Sequence, residues 1–384
     1  MERGLNRRTF LQVSTLAVLG ARAMPALAEA QTETRRKLLP IIIFFQAGAQ
    51  SPYEFVSPLS DAPEEIRGPC HCIRASNGIR IGEHWPSFAK VAKETSIVRT
   101  IDAENNFHSA YPLFQDNLPI YAERQANGGI PYPFILLRSI FGPHDALHAG
   151  DSFQVRWNEG EGRYKPPDIQ ACPGLKERKG LLEKLNASSS LESSSSVQRW
   201  QKNSRTAWSL LLGGELEEPF HRAQKRLERH GDNEVGKATA LAVEFAKSGA
   251  GVTVIYNEHT TPSGSGWDMH ENLKKRTDEL APITDQALTA LVEDAHEEGF
   301  VLLCTTEHGR TPHINRGAGR DHHMVSYMVG AGGNFAKGVV EGELTREGGF
   351  KTGPIKAGLV MPTTLAAAGV ELAPTTPRIR SILK

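Results

Sequence analysis

Leu38-Leu39-Pro40-Ile41-Ile42-Ile43-Phe44-Phe45-Gln46, followed by Ala47-Gly48-Ala49, is the stretch on which the fold turns. It is an unbroken apolar run rich in β-branched and aromatic residues, too short for a typical helix and closed by small residues. A strand that is covered on both faces and flanked by parallel neighbours reads this way, because neither face alternates with polar residues. Its C-terminal end opens into a loop, and ligand sites of open α/β sheets lie at such ends.

Similar runs recur at 96–101 (SIVRTI), 133–140 (PFILLRSI), 251–256 (GVTVIY), 300–305 (FVLLCT) and 325–330 (VSYMVG), and they read as further strands of one sheet. Helical periodicity falls between them, clearest at 237–248 and 284–298, where Leu288, Leu291, Val292 and Ala295 share one face. Strand and helix alternate, which predicts a mostly parallel α/β sheet between helical layers. The Ser-rich tract 188–196 reads as a linker. The charged amphipathic segments 198–212 and 217–230 read as a helical insertion spanning about 180–235, with His221 and His230 on its surface.

The 384 residues carry 44 Lys+Arg against 44 Asp+Glu, with 39% hydrophobic and 23% charged residues. That balance excludes a disordered chain and a generic basic nucleic-acid binder. The first thirty residues shift it. Asn6-Arg7-Arg8-Thr9-Phe10-Leu11-Gln12, a modest apolar stretch and Ala26-Leu27-Ala28 follow the order of a cleaved twin-arginine (Tat) export signal. This predicts a signal over 1–30, a single domain over 31–384, the Tat translocase as a transient partner, and a periplasmic or secreted product. Through Ala28 the segment holds four arginines against Glu2, a surplus of three, so the remainder carries a net charge of −3. No apolar run reaches the roughly 20 residues of a spanning helix. Of the four cysteines, Cys70 and Cys72 flank His71, and Cys172 and Cys304 lie far away. This is no zinc-finger pattern, and pairing of Cys70 or Cys72 with Cys172 stays open.

Metal-capable side chains concentrate at the predicted strand ends of the C-terminal third. Three clusters stand out: Trp267-Asp268-Met269-His270, Glu307-His308-Gly309-Arg310-Thr311-Pro312, and Gly319-Arg320-Asp321-His322-His323. Imidazoles and carboxylates suit Zn²⁺ and, with more oxygen ligands, Mn²⁺, Fe or Ca²⁺. Three clusters around one sheet edge predict a shared metal site. The alternative is a buried salt-bridge network of Glu307, His308 and Arg310 that only holds the loop.

These motifs, with Asn315, the leader and the helix-like Pro362–Gly369 segment, resemble the domain-of-unknown-function family numbered 1501, in the alkaline phosphatase and sulfatase superfamily. The resemblance implies an alkaline-phosphatase-like fold and two metal subsites. Glu307 and His308 stand where the phosphatases keep an Asp-His-Gly motif, and Asp268 and His270, with Asp321 or His322, match the second subsite. His323 competes with His322. Asn106-Phe107-His108-Ser109 falls at the nucleophile position, with His108 a ligand or general base and Ser109 a nucleophile or an N-cap. Two departures stand out. Phe107 interrupts the family's Asn-His pair, and the first strand delivers Gln46 to Ser51 where active relatives supply a carboxylate, leaving Gln46, Gln50 or Glu54 as substitutes. The sulfatase activation motif Cys-x-Pro-x-Arg is missing.

The implied activity is metal-dependent hydrolysis of a phosphate or sulfate ester, on a small molecule or carbohydrate, with Arg310 or Arg320 clamping the anionic oxygens and Asn315 assisting. The rival expectation is a non-catalytic metal- or anion-binding protein of the same fold, which the missing first-strand carboxylate favours. A redox enzyme has no support, since the chain lacks a Gly-x-Gly-x-x-Gly fingerprint and a haem or iron–sulfur cysteine set.

Overall fold

The computed structural model describes residues 38–109, 111–114, 134–138, 153–165, 180–181, 184 and 217–384. The chain separates into a unit of Leu38–Gln170 and Gly213–Lys384, described below, and another of Met1–Lys37 and Ala171–Leu212. The second unit falls almost wholly outside the described residues. So do the export signal, the Ser-rich linker, the 198–212 segment and Cys172.

The quoted run forms β1 (Ile41–Gln46), every residue of it buried. It is followed by β2 (Thr95–Asp102), β3 (Phe134–Arg138), β4 (Phe153–Asn158), β5 (Arg163–Lys165), β6 (Val252–Asn257), β7 (Val301–Thr305), β8 (Val325–Ala331), β9 (Val339–Glu341) and β10 (Ile355–Lys356). They make one ten-stranded sheet in the order β9-β2-β8-β7-β1-β6-β3-β4-β5, with β10 also on β2. β1 pairs parallel with both β7 and β6, Phe45 opposite Thr305 and Tyr256. Only β8, antiparallel to β7 and β2, and the edge strand β5 run the other way. The sheet is therefore mixed but mostly parallel, as the alternating pattern predicts.

Because successive side chains leave opposite faces, Ile41, Ile43 and Phe45 share a face. They join a core with Val98, Val254, Leu303 and the helix α4 (Val360–Ala367), through Val360, Met361 and Leu365. Ile42 and Phe44, just as buried, face the other side. There α2 (Glu234–Lys247) packs against β1 and β6. Asn233 caps α2 by accepting the Gly236 N–H at 2.9 Å. Farther out, α1 (Pro86–Val91) has no cap of its own. The Asp285 carboxylate of α3 (Leu273–Asp294) accepts its Ser87 and Phe88 N–H groups instead.

One expectation fails in the helical layer. His221 is exposed as expected, but His230 is fully buried. Its Nε2 lies 2.9 Å from Asp294, which also binds Arg226 and Arg229, and its Nδ1 lies 2.9 Å from Thr239. Burial would raise the Asp294 carboxyl, but the His230 hydrogen bond and the two arginines hold it below the usual range. A sequence window cannot show that a polar residue at a helix end meets a carboxylate 64 positions away. Among the described residues no helix is long and apolar enough to cross a membrane.

Candidate metal centre

The ends of β1, β2, β6 and β7 and the start of β8 lie along one edge of the sheet, since β8 runs opposite to the rest. The three clusters and His108 meet there. The turn after β1 is pinned to two of them: Trp267 N–H donates to Ala47 O (2.9 Å) and Gly48 N–H to Glu307 Oε1 (2.9 Å). Gly48 has φ +91°, and a Cβ on it would lie 2.5 Å from the Asp268 nitrogen. Only glycine permits that approach. Gly48→Ala is expected to displace the Asp268 segment and weaken metal binding at least tenfold, read by competition with a chromogenic chelator.

Four imidazoles share one arrangement. His108 Nδ1 lies 2.8 Å from Glu307 Oε1, His270 Nδ1 3.0 Å from Asp321 Oδ1, His308 Nδ1 2.9 Å from Gly309 O and His322 Nδ1 2.9 Å from Asn106 O. Those oxygens only accept, so Nδ1 is the donor in each contact and Nε2 is the nitrogen left to face the centre. The Nε2 atoms converge. His270 Nε2 and His322 Nε2 are 3.0 Å apart, and the His322 ring centroid is 4.4 Å from that of His308 and 4.6 Å from that of His108. His308 Nε2 is buried and has no hydrogen-bond partner. Burial pulls the His308 pKa down to about 4, so the ring is neutral at neutral pH.

Asp268 lies between them. Its Oδ1 is 3.1 Å from His270 Nε2 and 3.4 Å from His322 Nε2, and its Oδ2 is 3.7 Å from His108 Nε2. Burial opposes its charge, but the Arg310 guanidinium, which donates to it, holds the carboxyl far below its usual range. Two overlapping sets bring their donor atoms together, His108, His308 and His322, and Asp268, His270 and His322; they share His322, whose one inward nitrogen serves a single ion. The donor chemistry fits a divalent transition metal: neutral imidazole nitrogens, one carboxylate, and a buried nitrogen that otherwise lacks a partner.

Placement redistributes the expected roles. Glu307 and Asp321 fall outside both sets, and each orients a ring whose other nitrogen faces the centre, the usual carboxylate–histidine support of a metal site. Glu307 is fully committed: it also accepts from the Thr306 hydroxyl, and the His108 hydrogen bond offsets a burial that would raise it. Of the two adjacent histidines, His322 enters the centre. His323, on the other face of a short ribbon pairing Gly309–Arg310 with His322–His323, accepts from Val325 N–H instead. That ribbon needs Gly309, where a Cβ would lie 1.6 Å from Val325 O.

Neither arginine is available as a clamp. Arg310 is buried and donates Nε to Ala49 O, Nη2 to Gly48 O and Asp268, and Nη1 to Arg320 O, with His270 Nε2 3.4 Å away. Arg320, fully buried, donates to Glu54, Thr311 O, Pro312 O, Ile66 O and Arg67 O and covers the Tyr53 ring. With every N–H engaged, both are pins between loops. Asn315 is likewise taken up, donating to His270 O and Asp321 and accepting from Gly317 and Gly319. The first-strand substitutes also turn elsewhere. Gln46 accepts from Asn257 and Trp267, Gln50 accepts the Tyr327 hydroxyl, and Glu54 holds Arg320.

The Asn106-Phe107-His108 interruption has a simple resolution. Phe107 is 72% exposed, which lets the Asn106 carbonyl and the His108 ring both reach the centre. Ser109 follows, half-buried, its N–H donating to Phe107 O. The supporting Nδ1 contacts leave a faint sequence trace, an acidic residue just before His308 and another just before His322, but Asn106 O and Gly309 O are backbone groups with none.

Solved structures give distant likenesses. A crystal structure of Ps i-CgsB aligns at 11% identity and TM-score 0.33, over 88% of this chain and 73% of that one. A complex of the same protein with k-i-k-neocarrahexaose gives 12% and 0.35 over the same shares. A protein of a Bacteroides thetaiotaomicron locus for metabolism of multiple glycosaminoglycans gives 12% and 0.38, over 87% and 73%. No curated protein matches. The family described as "Protein of unknown function (DUF1501)" matches residues 175–378, more than half of the chain and inclusive of all three C-terminal clusters. The chain belongs to that family.

Proposed function

We propose that this protein is an exported, metal-dependent hydrolase of phosphate or sulfate esters. The carrying observation is the inward convergence of four Nε2 atoms and the Asp268 carboxylate on a centre where His308 Nε2 is buried without a partner. His108, His270, His308, His322 and Asp268 would hold the metal, zinc before Mn²⁺, Fe or Ca²⁺ because nitrogen donors predominate. When bound, a divalent cation supplies Lewis-acid polarisation of an ester oxygen and a nucleophile at neutral pH. The residues do the rest. Glu307 and Asp321 fix the rings of His108 and His270, and Arg310 keeps Asp268 ionised and aimed. Ser109, which follows His108 in the chain, is the residue we assign to meet the ester. Sulfated or phosphorylated carbohydrate suits an exported enzyme, and the twin-arginine leader read at 6–28 belongs to the same proposal, with the Tat translocase as its partner in export.

The test is metal analysis of the purified chain together with turnover of phosphate monoesters, diesters and sulfate esters. Stoichiometric metal with turnover of one ester class supports the reading, and a chain that neither holds nor takes up metal sinks it. Metal without turnover of any ester favours the non-catalytic binding reading, for which the engaged Arg310 and Arg320 speak. Asp321→Asn is expected to lower metal affinity about 10–100-fold with the fold intact, since it releases the His270 ring; equilibrium dialysis measures it.

A further inference from the structure

Away from this centre, three residues from two loops meet ahead of α1. They are Cys70, ahead of the hairpin strand Cys72–Arg74, Glu83, after its partner strand Arg80–Gly82, and His84, two residues before α1 begins. The Cys70 sulfur, a Glu83 carboxylate oxygen and a His84 ring nitrogen lie within 4.8 Å of one another. His71 and Cys72, which share the Cys-His-Cys motif, are outside the group. We propose that Cys70, Glu83 and His84 form a second metal site, separate from the histidine centre, for a borderline-soft divalent cation of the zinc type.

Three features support it. His84 Nε2 lies 2.6 Å from Asp278 Oδ1 of α3, which places the proton on Nε2 and the lone pair on Nδ1. That Nδ1 is buried and has no hydrogen-bond partner, and a buried acceptor left bare is unfavourable unless something binds it. Asp278 thus stands to His84 as Glu307 does to His108: a carboxylate on one ring nitrogen, the other presented inward. Second, Glu83 Oε1 already accepts the His71 N–H at 2.9 Å, so the carboxylate is held in place with its other oxygen to offer. Third, Cys70 is a free thiol 7% exposed, and sulfur with imidazole and carboxylate selects zinc-like ions over Mg²⁺ or Ca²⁺. Burial pushes the Cys70 thiol up to about 12, so binding displaces one proton from sulfur, as metal binding to thiols does. Three protein ligands leave a fourth position open on a tetrahedral ion.

Cobalt separates this site from the other, because the histidine centre has no sulfur ligand. The reduced full chain, titrated with Co²⁺, is expected to develop a sulfur-to-cobalt charge-transfer band in the near ultraviolet. Cys70→Ser should abolish the band and remove one equivalent of bound metal, and Glu83→Gln and His84→Ala should weaken it. Cys72→Ser, Cys304→Ser and His308→Ala should keep it, the last while losing metal from the other centre. No band in the natural sequence, or a band that survives Cys70→Ser, overturns the proposal. Because Cys70→Ser is nearly isosteric and Glu83→Gln conserves shape, loss of the band in either, with an unchanged thermal midpoint, reads as loss of a ligand.

Discussion

His308→Ala is expected to strip the histidine centre of its metal, lowering affinity by more than about 100-fold, the upper end of what disturbing even a supporting residue costs. Ester turnover should fall with it. The reason is geometric. His308 Nε2 faces the centre from a fully buried ring whose Nδ1 is tied to Gly309 O, so no neighbour can swing in to replace it. Metal content by elemental analysis separates this from a folding defect: the variant loses one Nδ1 hydrogen bond and some packing, and its thermal midpoint in chelator should stay near that of the parent. An unchanged metal content in His308→Ala would dismiss the centre as drawn.

The second large effect is on stability. Arg320 is fully buried against Glu54, whose carboxylate accepts from Nε at 3.0 Å and Nη2 at 2.7 Å, and its remaining N–H groups cap four carbonyls from the 66–67 and 311–312 turns. Arg320→Met leaves the Glu54 charge and those carbonyls without partners. Breaking a buried pair from one side costs about 3–5 kcal/mol. Urea unfolding of the metal-free protein is expected to show a loss of that size, and adding Glu54→Leu should recover part of it by removing the stranded charge. A residue that instead clamped substrate would leave the unfolding midpoint in place and raise KM.

The strands were legible where burial is symmetrical. Six apolar runs, from 38–46 to 325–330, correspond to β1, β2, β3, β6, β7 and β8 within about two residues at most ends. β4, β5, β9 and β10 lie toward the margins, are short or mix polar with apolar residues, and gave no signal; nor does a sequence window reveal that β8 runs backwards. For the site, the loops were legible and the atoms were not. Asp268, His270, His308 and His322 meet as the clustered motifs imply, but whether an acidic neighbour holds the metal or a histidine ring depends on which nitrogen it reaches. Glu307 and Asp321 went to the rings for that reason. The arginines depart from the clamp expectation because only the fold brings Glu54 to Arg320 and the Gly48 and Ala49 carbonyls to Arg310. Cys70, Glu83 and His84 are joined by a hairpin and a helix start, and no spacing rule covers that combination.

β1 carries a consequence for how the chain is made. Its partners are residues 252–257 and 301–305, so the Ile41–Phe45 run is synthesised more than two hundred residues before both neighbours exist. At about 5–20 residues per second that is roughly 10–50 s in which a flat apolar segment has no sheet to join. Non-local parallel pairing is slow to form in any case. The segment that decides the fold is therefore also one left open to misassociation during synthesis, until β6 and β7 emerge.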